Sequence, residues 1–87
     1  MPDAKSNHAV ANALRDVASM ATSDGQVPLA NKLNIMATSI DSGYTENACR
    51  AMVDVWRTWG RHCNECQGYV DLALEVMESH FGPIVKS

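Results

Sequence analysis

The sequence has 87 residues, which is enough for one domain. Its net charge of −3 and its lack of a Lys/Arg cluster argue against nucleic acid as the main ligand. No apolar run approaches the roughly 20 residues of a membrane-spanning helix, and residues 1–10 lack the layout of a signal peptide, so we expect a cytoplasmic protein that does not bind membranes.

Aromatic residues make up only 6% of the chain, so the core must consist mainly of Ala, Leu, Val, Ile and Met. A domain this small often gains stability from a disulfide, a metal or a second subunit. The three cysteines are an odd number, which is untypical of a secreted disulfide scaffold, so we expect reduced thiols. A thin core without a disulfide favours an oligomer.

Turn signals such as Asp24-Gly25 divide the chain into predicted helices and flexible ends. The helices are expected at residues 6–23, 28–41 and 45–81, and the flexible ends at 1–5 and 84–87. Ser6 is a plausible N-cap of the first helix, and Pro28 suits the first position of the second. Both segments carry apolar residues at helical spacing, which predicts a helical hairpin.

The third segment keeps one apolar stripe along its whole length. Its apolar positions follow in steps of three and four residues: Ala48, Met52, Val55, Trp59, Cys63, Cys66, Val70, Leu74, Met77 and Phe81. This predicts one long helix, because a loop has no reason to preserve the phase of a helical stripe. Gly60 and Gly68 each weaken such a helix by about 1 kcal/mol relative to Ala. The alternative is a break near residues 61–67, which gives a monomeric four-helix bundle.

Charges on this segment are segregated into a basic half and an acidic half: Arg50, Arg57, Arg61, Asp71, Glu75 and Glu78. The order is opposite to the one that the helix dipole prefers. An antiparallel partner helix would pair Arg57 with Glu75 and Arg61 with Asp71, about a two-fold axis near Cys66. A solvated face with chance segregation, or a hairpin within one chain, explains the same pattern.

The predicted fold is therefore all-α: a helical hairpin and one long C-terminal helix, assembled as an antiparallel homodimeric bundle. The apolar stripe supplies the expected dimer interface: Met52, Val55, Trp59, Cys63, Cys66, Val70 and Leu74.

The stretch from His62 to Cys66 contains a Cys-x-x-Cys pair, which could hold zinc or act in redox chemistry. Zinc needs four ligands, and Cys49 and His80 each lie roughly 21 Å away along a helix. A redox pair normally begins a helix that follows a strand, and no strand is predicted here. We therefore expect the two cysteines to pack on a helix face, with no metal and no cofactor.

No phosphate-binding loop, nucleophile elbow or metalloprotease motif occurs, so we expect no catalysis. Trp, Tyr and Arg are enriched where proteins bind one another, which makes Trp56, Arg57, Tyr69 and His80 the predicted partner contacts. The predicted function is that of a small helical regulator, an anti-activator, immunity protein or adaptor, which inhibits or sequesters a larger protein. The alternatives are a thiol-based metal or redox sensor using Cys63 and Cys66, and a structural subunit of a larger assembly.

Overall fold

In the computed structural model, the backbone is described for residues 4–85 and the side chains for residues 6–85. This part of the chain contains four helices and no strand: α1 (Ala4–Ser23), α2 (Val27–Asp41), α3 (Thr45–Thr58) and α4 (Gln67–Phe81). The all-α prediction is confirmed. No described helix has both the length and the apolar character needed to cross a membrane. Of the ends predicted to be flexible, residues 1–3 and 86–87 lie outside the described residues.

The helices pack as a ring, in which α1 and α3 each lie against both α2 and α4. Each helix buries a stripe of side chains at helical spacing, and these stripes form one continuous core. Small residues contribute much of the stripes on α1 and α2, where the buried alanines are Ala11, Ala18, Ala21, Ala30 and Ala37. Because the distance between helix axes depends on the side chains at the contact, these alanines allow α1 and α2 to pack closely.

The two short turns before α2 and α3 have the same geometry. At the first, the Gln26 N–H donates to the carbonyl oxygen of Ala21 at 2.8 Å, and the Tyr44 N–H makes the equivalent bond at the second turn, also at 2.8 Å. The preceding glycines, Gly25 and Gly43, have φ of +84° and +89°. Only glycine adopts this left-handed conformation without steric cost, so both glycines stop the helices before them.

Polar side chains also connect α1 and α2, which run antiparallel. Near the start of α1, His8 Nδ1 lies 2.9 Å from Asp41 Oδ1 at the end of α2. Two turns further along α1, Arg15 donates to the other carboxylate oxygen of the same residue, Asp41 Oδ2, at 2.7 Å. Hydrogen bonding to His8 and Arg15 holds the pKa of Asp41 below its ordinary value, because both contacts favour the carboxylate.

Residues 45–81 form two helices, so the prediction of one long helix is wrong for this structure. The break falls at residues 59–66, close to the position expected for the four-helix alternative. The physical reason is burial: Met52 and Val55 of α3 and Val70 and Met77 of α4 are all fully buried. One chain covers both halves of the stripe only when α4 folds back onto α1 and α3. Periodicity identifies a buried face, but it does not say how many helices carry it.

The segment after α4 folds back towards α3. Gly82, with φ of +87°, ends α4. Beyond it, the Glu78 carboxylate accepts hydrogen bonds from the backbone N–H groups of Ile84 at 2.7 Å and Val85 at 3.2 Å. These bonds hold the pKa of Glu78 below its ordinary value. Ile84 also packs against the core, so residues 84 and 85, which we expected to be flexible, make defined contacts.

Candidate functional site

The turn between α3 and α4 contains a disulfide that joins Cys63 to Cys66, and this corrects the expectation of reduced thiols at these positions. Their Cα atoms lie 5.2 Å apart, within the range usual for disulfides. In a regular helix, side chains three positions apart keep their Cβ atoms about 5–6 Å apart, whereas a disulfide needs about 3.5–4.5 Å. The sequence argument placed both cysteines within a helix and therefore missed the bond.

The two sulfurs have different surroundings. Cys66 is fully buried and directly precedes α4, whereas Cys63 is half-buried on the turn. The Gln26 Oε1 atom lies 3.2 Å from the Cys66 sulfur and 4.0 Å from the Cys63 sulfur. In the disulfide neither sulfur carries a proton, so the contact with Gln26 is not a hydrogen bond. In the reduced protein the Cys66 thiol can donate a hydrogen bond to Gln26 at the same distance.

The Cys-x-x-Cys pair therefore lies directly before a helix, as redox-active pairs do, although the element that precedes it is a helix and not a strand. Helix N-termini favour thiolate over thiol because their free N–H groups and dipole stabilise negative charge. The third cysteine, Cys49, is separate from this turn and is not oxidised. Burial, with a smaller contribution from Glu46, raises the pKa of its thiol. No three His, Cys, Asp or Glu residues among those described come together as a possible metal site.

Two of the predicted partner contacts share a surface. Trp56 and Arg57 line an open hollow of about 370 Å³ with Val53, Ile84 and Val85. The guanidinium of Arg61 lies 5.6 Å from the centre of the Trp56 ring, which is within cation–π range. The Trp56 side chain is half-buried, so it packs partly against the core and is partly exposed to solvent.

The other two predicted contacts connect helices within the chain. The Tyr69 hydroxyl donates to Asp24 Oδ2 at 2.8 Å, and this hydrogen bond raises the pKa of Tyr69. His80 Nε2 lies 3.1 Å from Asn7 Oδ1, so each end of α4 is connected to an end of α1. Neither Tyr69 nor His80 lines the hollow beside Trp56. The structure therefore does not bring the four predicted residues into one site.

The residues predicted to form a dimer interface lie in or against the core of their own chain. Met52, Val55, Cys66 and Val70 are fully buried there. The remaining three are partly buried and pack against the same core: Trp59, Cys63 and Leu74. The homodimer stays a prediction, but these side chains are already covered by their own chain in the folded form described.

The predicted ion pairs of the third segment do not form within the described residues. Arg57 and Arg61 have no ion pair with Asp71 or Glu75. The ion pairs among the described residues join Asp41 to His8 and Arg15, and Glu46 to Arg50. Asp71 and Glu75 line an open hollow on the outer face of α4. Of the segregated charges, Arg57, Asp71 and Glu75 are exposed, whereas Arg50 pairs with Glu46 and Glu78 accepts hydrogen bonds from Ile84 and Val85.

Sequence reasoning missed one apolar surface. Ile35 is 58% exposed and Tyr44 is 63% exposed, which makes them the most exposed large hydrophobic side chains described. They line one open hollow of about 420 Å³. The rest of its lining is short, polar and uncharged: Asn34, Thr38, Ser39 and Ser42. The exposure of Ile35 could have been predicted from the sequence, because Ile35 lies outside the apolar stripe of its helix.

No protein-family model, no curated protein and no solved structure matches this chain.

Proposed function

We propose that this protein is a small, non-catalytic helical regulator that binds a larger partner protein through the surface around Ile35 and Tyr44, and thereby inhibits or sequesters it. The observation that carries the proposal is the exposure of these two side chains on one hollow. Scattered exposed hydrophobic residues are normal on protein surfaces. Ile35 and Tyr44, in contrast, line one hollow, and Tyr is among the residues enriched where proteins bind one another.

The composition of the hollow indicates the chemistry of the partner. Fully burying an aliphatic side chain contributes about 1.5–3 kcal/mol, and Tyr supplies a large contact area with a polar group at its end. The neighbouring Asn34, Thr38 and Ser42 provide hydrogen-bonding groups without charge. The surface therefore suits an uncharged, apolar patch on the partner, and salt should affect the affinity little.

Trp56 and Arg57 stay proposed contacts of this partner, since both reach the surface. Tyr69 and His80 fit this role less well, because their polar atoms already contact Asp24 and Asn7. Ile35 and Tyr44 replace them in the proposal.

The test compares two charge substitutions on the proposed surface with one on α4. Ile35→Asp and Tyr44→Asp place a charge on the proposed surface, and Leu72→Asp is the control, because Leu72 is 41% exposed on α4. All three should keep the helical circular dichroism of the wild type. A partner captured from native lysate should be retained by the wild type and the control and lost with the other two. Equal capture by all variants would remove this surface from the proposal.

The structure also favours a second candidate function, that of a thiol-based redox sensor, because Cys63 and Cys66 form a disulfide. In the reducing cytosol expected for this protein, disulfides are rare and usually transient or redox-sensing. A metal sensor is less well supported, because metals bind thiolates and both sulfurs here are oxidised. Thiol titration after equilibration in glutathione buffers tests this candidate. A disulfide that persists at every cytosolic ratio of glutathione would contradict it.

A further inference from the structure

We propose that the Cys63–Cys66 disulfide holds the turn between α3 and α4 closed, and that its reduction lets residues 45–81 extend into one helix that exchanges α4 with a second copy of the chain. The proposal rests on the second candidate function, since it needs a disulfide that can be reduced. It does not depend on the surface around Ile35 and Tyr44.

The backbone of the turn keeps part of the hydrogen bonding of an α-helix and has no left-handed residue. Hydrogen bonds of the α-helical kind, to the carbonyl four residues back, persist from Trp59 to Val55 at 2.9 Å and from Cys63 to Trp59 at 3.2 Å. In the described part of the chain, positive φ occurs at Gly25, Gly43 and Gly82, and not at any residue of this turn. No left-handed residue must therefore be unwound when the turn straightens.

The apolar stripe keeps its helical phase through the turn. At the other two turns, a glycine with positive φ ends the preceding helix, and such a signal is missing within residues 59–66. The sequence of this turn is therefore compatible with a continuous helix, and the disulfide is not. A regular helix holds the two Cβ atoms too far apart for an S–S bond, so oxidation selects the bent form.

A second copy of the chain offers the same surface to α4. After exchange, α4 packs against α1 and α3 of the other chain, so Val70 and Met77 regain the burial that they have in the closed form. Such exchange of an identical element is a low-cost route to dimers. The extended helices of the two chains would then cross antiparallel near Cys66.

The redox step requires a dithiol reductant of the thioredoxin class. Its thiolate attacks the half-buried Cys63 sulfur, the S–S bond breaks, and the Cys66 sulfur leaves as a thiolate and takes up a proton. The second thiolate of the reductant then attacks the sulfur of its own first cysteine, which releases Cys63 as a thiolate that is protonated in turn. The protein gains two electrons and two protons, and the reductant becomes a disulfide. The Cys66 thiol can then donate to Gln26.

Gly60 gives an independent way to shift the equilibrium. A Cβ added at Gly60 in the closed turn would lie 2.7 Å from the Trp56 carbonyl oxygen and 3.1 Å from Val70 Cγ1. A continuous helix, in contrast, prefers Ala to Gly. The Gly60→Ala substitution should therefore disfavour the closed turn and raise the share of exchanged dimer.

The experiment measures mass, thiol count and one distance on the full chain. Light scattering should give a monomer for the oxidised protein, and dithiothreitol should double the mass in a concentration-dependent way while two further thiols become titratable. The Cys63→Ala/Cys66→Ala variant should dimerise without reductant. The Cys49→Ser control, which leaves the turn intact, should respond to reductant like the wild type. The Gly60→Ala variant should dimerise at a lower protein concentration than the wild type.

The distance separates exchange from ordinary association. Labels attached without cysteine chemistry at Asn47 and Ser79, diluted with unlabelled chains, report the separation within one chain. One helix places them about 48 Å apart at 1.5 Å per residue. This exceeds the 34 Å longest extent of the closed bundle. A reduced protein with two new thiols but unchanged mass, or a doubled mass with a short distance, would overturn the exchange and leave the redox sensor standing. A disulfide that dithiothreitol does not open, or that purified protein lacks, would overturn both.

Discussion

The side-chain oxygen of Gln26 lies 3.2 Å from the sulfur of Cys66, although the two residues are 40 positions apart in the sequence. Gln26 belongs to the turn between α1 and α2, and Cys66 directly precedes α4. Close by, Tyr69 donates a hydrogen bond to Asp24 of the same turn at 2.8 Å. The α1–α2 turn thus contacts the Cys-x-x-Cys turn through Gln26 and the first turn of α4 through Asp24.

We expect the Gln26→Ala substitution to destabilise the reduced protein more than the oxidised one. Only the reduced Cys66 has a proton to donate, and a typical intramolecular hydrogen bond contributes about 0.5–1.5 kcal/mol, with a thiol at the lower end. Urea denaturation in both redox states measures the difference. Gln67→Ala, at an exposed position on the first turn of α4, is the control and should show no redox-dependent change. Equal losses in both states would contradict a hydrogen bond from the thiol.

Two glycines should respond oppositely to alanine. Gly43 has φ of +89°, where an L-residue is strained, so Gly43→Ala should lower the free energy of unfolding by about 1–2 kcal/mol. Gly68 lies in the first turn of α4, and a Cβ there would meet no neighbouring atom within 4 Å. Gly68→Ala should therefore raise stability by up to about 1 kcal/mol. Chemical denaturation measures both, and a stabilising Gly43→Ala would contradict the turn geometry.

Packing of α4 is tested by two substitutions on the same helix. Met77 is fully buried and Leu72 is 41% exposed. Met77→Ala should lower the free energy of unfolding by about 2–5 kcal/mol, because it removes buried methylene groups and leaves a cavity. Leu72→Ala should change it by about 0.5 kcal/mol or less. Similar effects of the two would mean that α4 does not dock through the face described.

Acid should destabilise the fold through two carboxylates. The pKa values of Asp41 and Glu78 are both lowered in the folded state, by hydrogen bonds to His8 and Arg15 and by backbone N–H groups respectively. A lowered pKa adds stability that is present above the unfolded-state value, near pH 4 for a carboxyl group, and is lost as the pH falls through the folded-state value.

The corresponding measurement is thermal unfolding between pH 7 and pH 2.5. Asp41→Asn and Glu78→Gln should each lower stability at pH 7 and reduce its dependence on pH below about 4. Glu75→Gln, which changes an exposed acid on the same helix as Glu78, is the control and should leave the profile unchanged. A wild-type profile that stays flat down to pH 2.5 would contradict the role of both carboxylates.

The candidate site could be predicted only in part. Cys63 and Cys66 stood out by spacing, but their bond depends on a turn that the periodicity did not indicate. Trp56 and Arg57 reach the surface, whereas Tyr69 and His80 contact side chains of α1 and its following turn that lie 45 and 73 positions away in sequence. Residue type indicated which side chains could bind a partner, and only the packing shows which of them are already engaged.

By itself, the sequence determined the helical character of the chain, the buried face of each helix and the two glycine turns, because these depend on hydrogen bonds and spacings within a few residues. The tertiary structure decided that the stripe of residues 45–81 is divided between α3 and α4, that Cys63 meets Cys66, and that Ile35 and Tyr44 stay exposed. These features depend on which surfaces the whole chain covers at once. A repeating apolar pattern is the same whether its face is buried by a neighbouring helix of the same chain or by a second molecule.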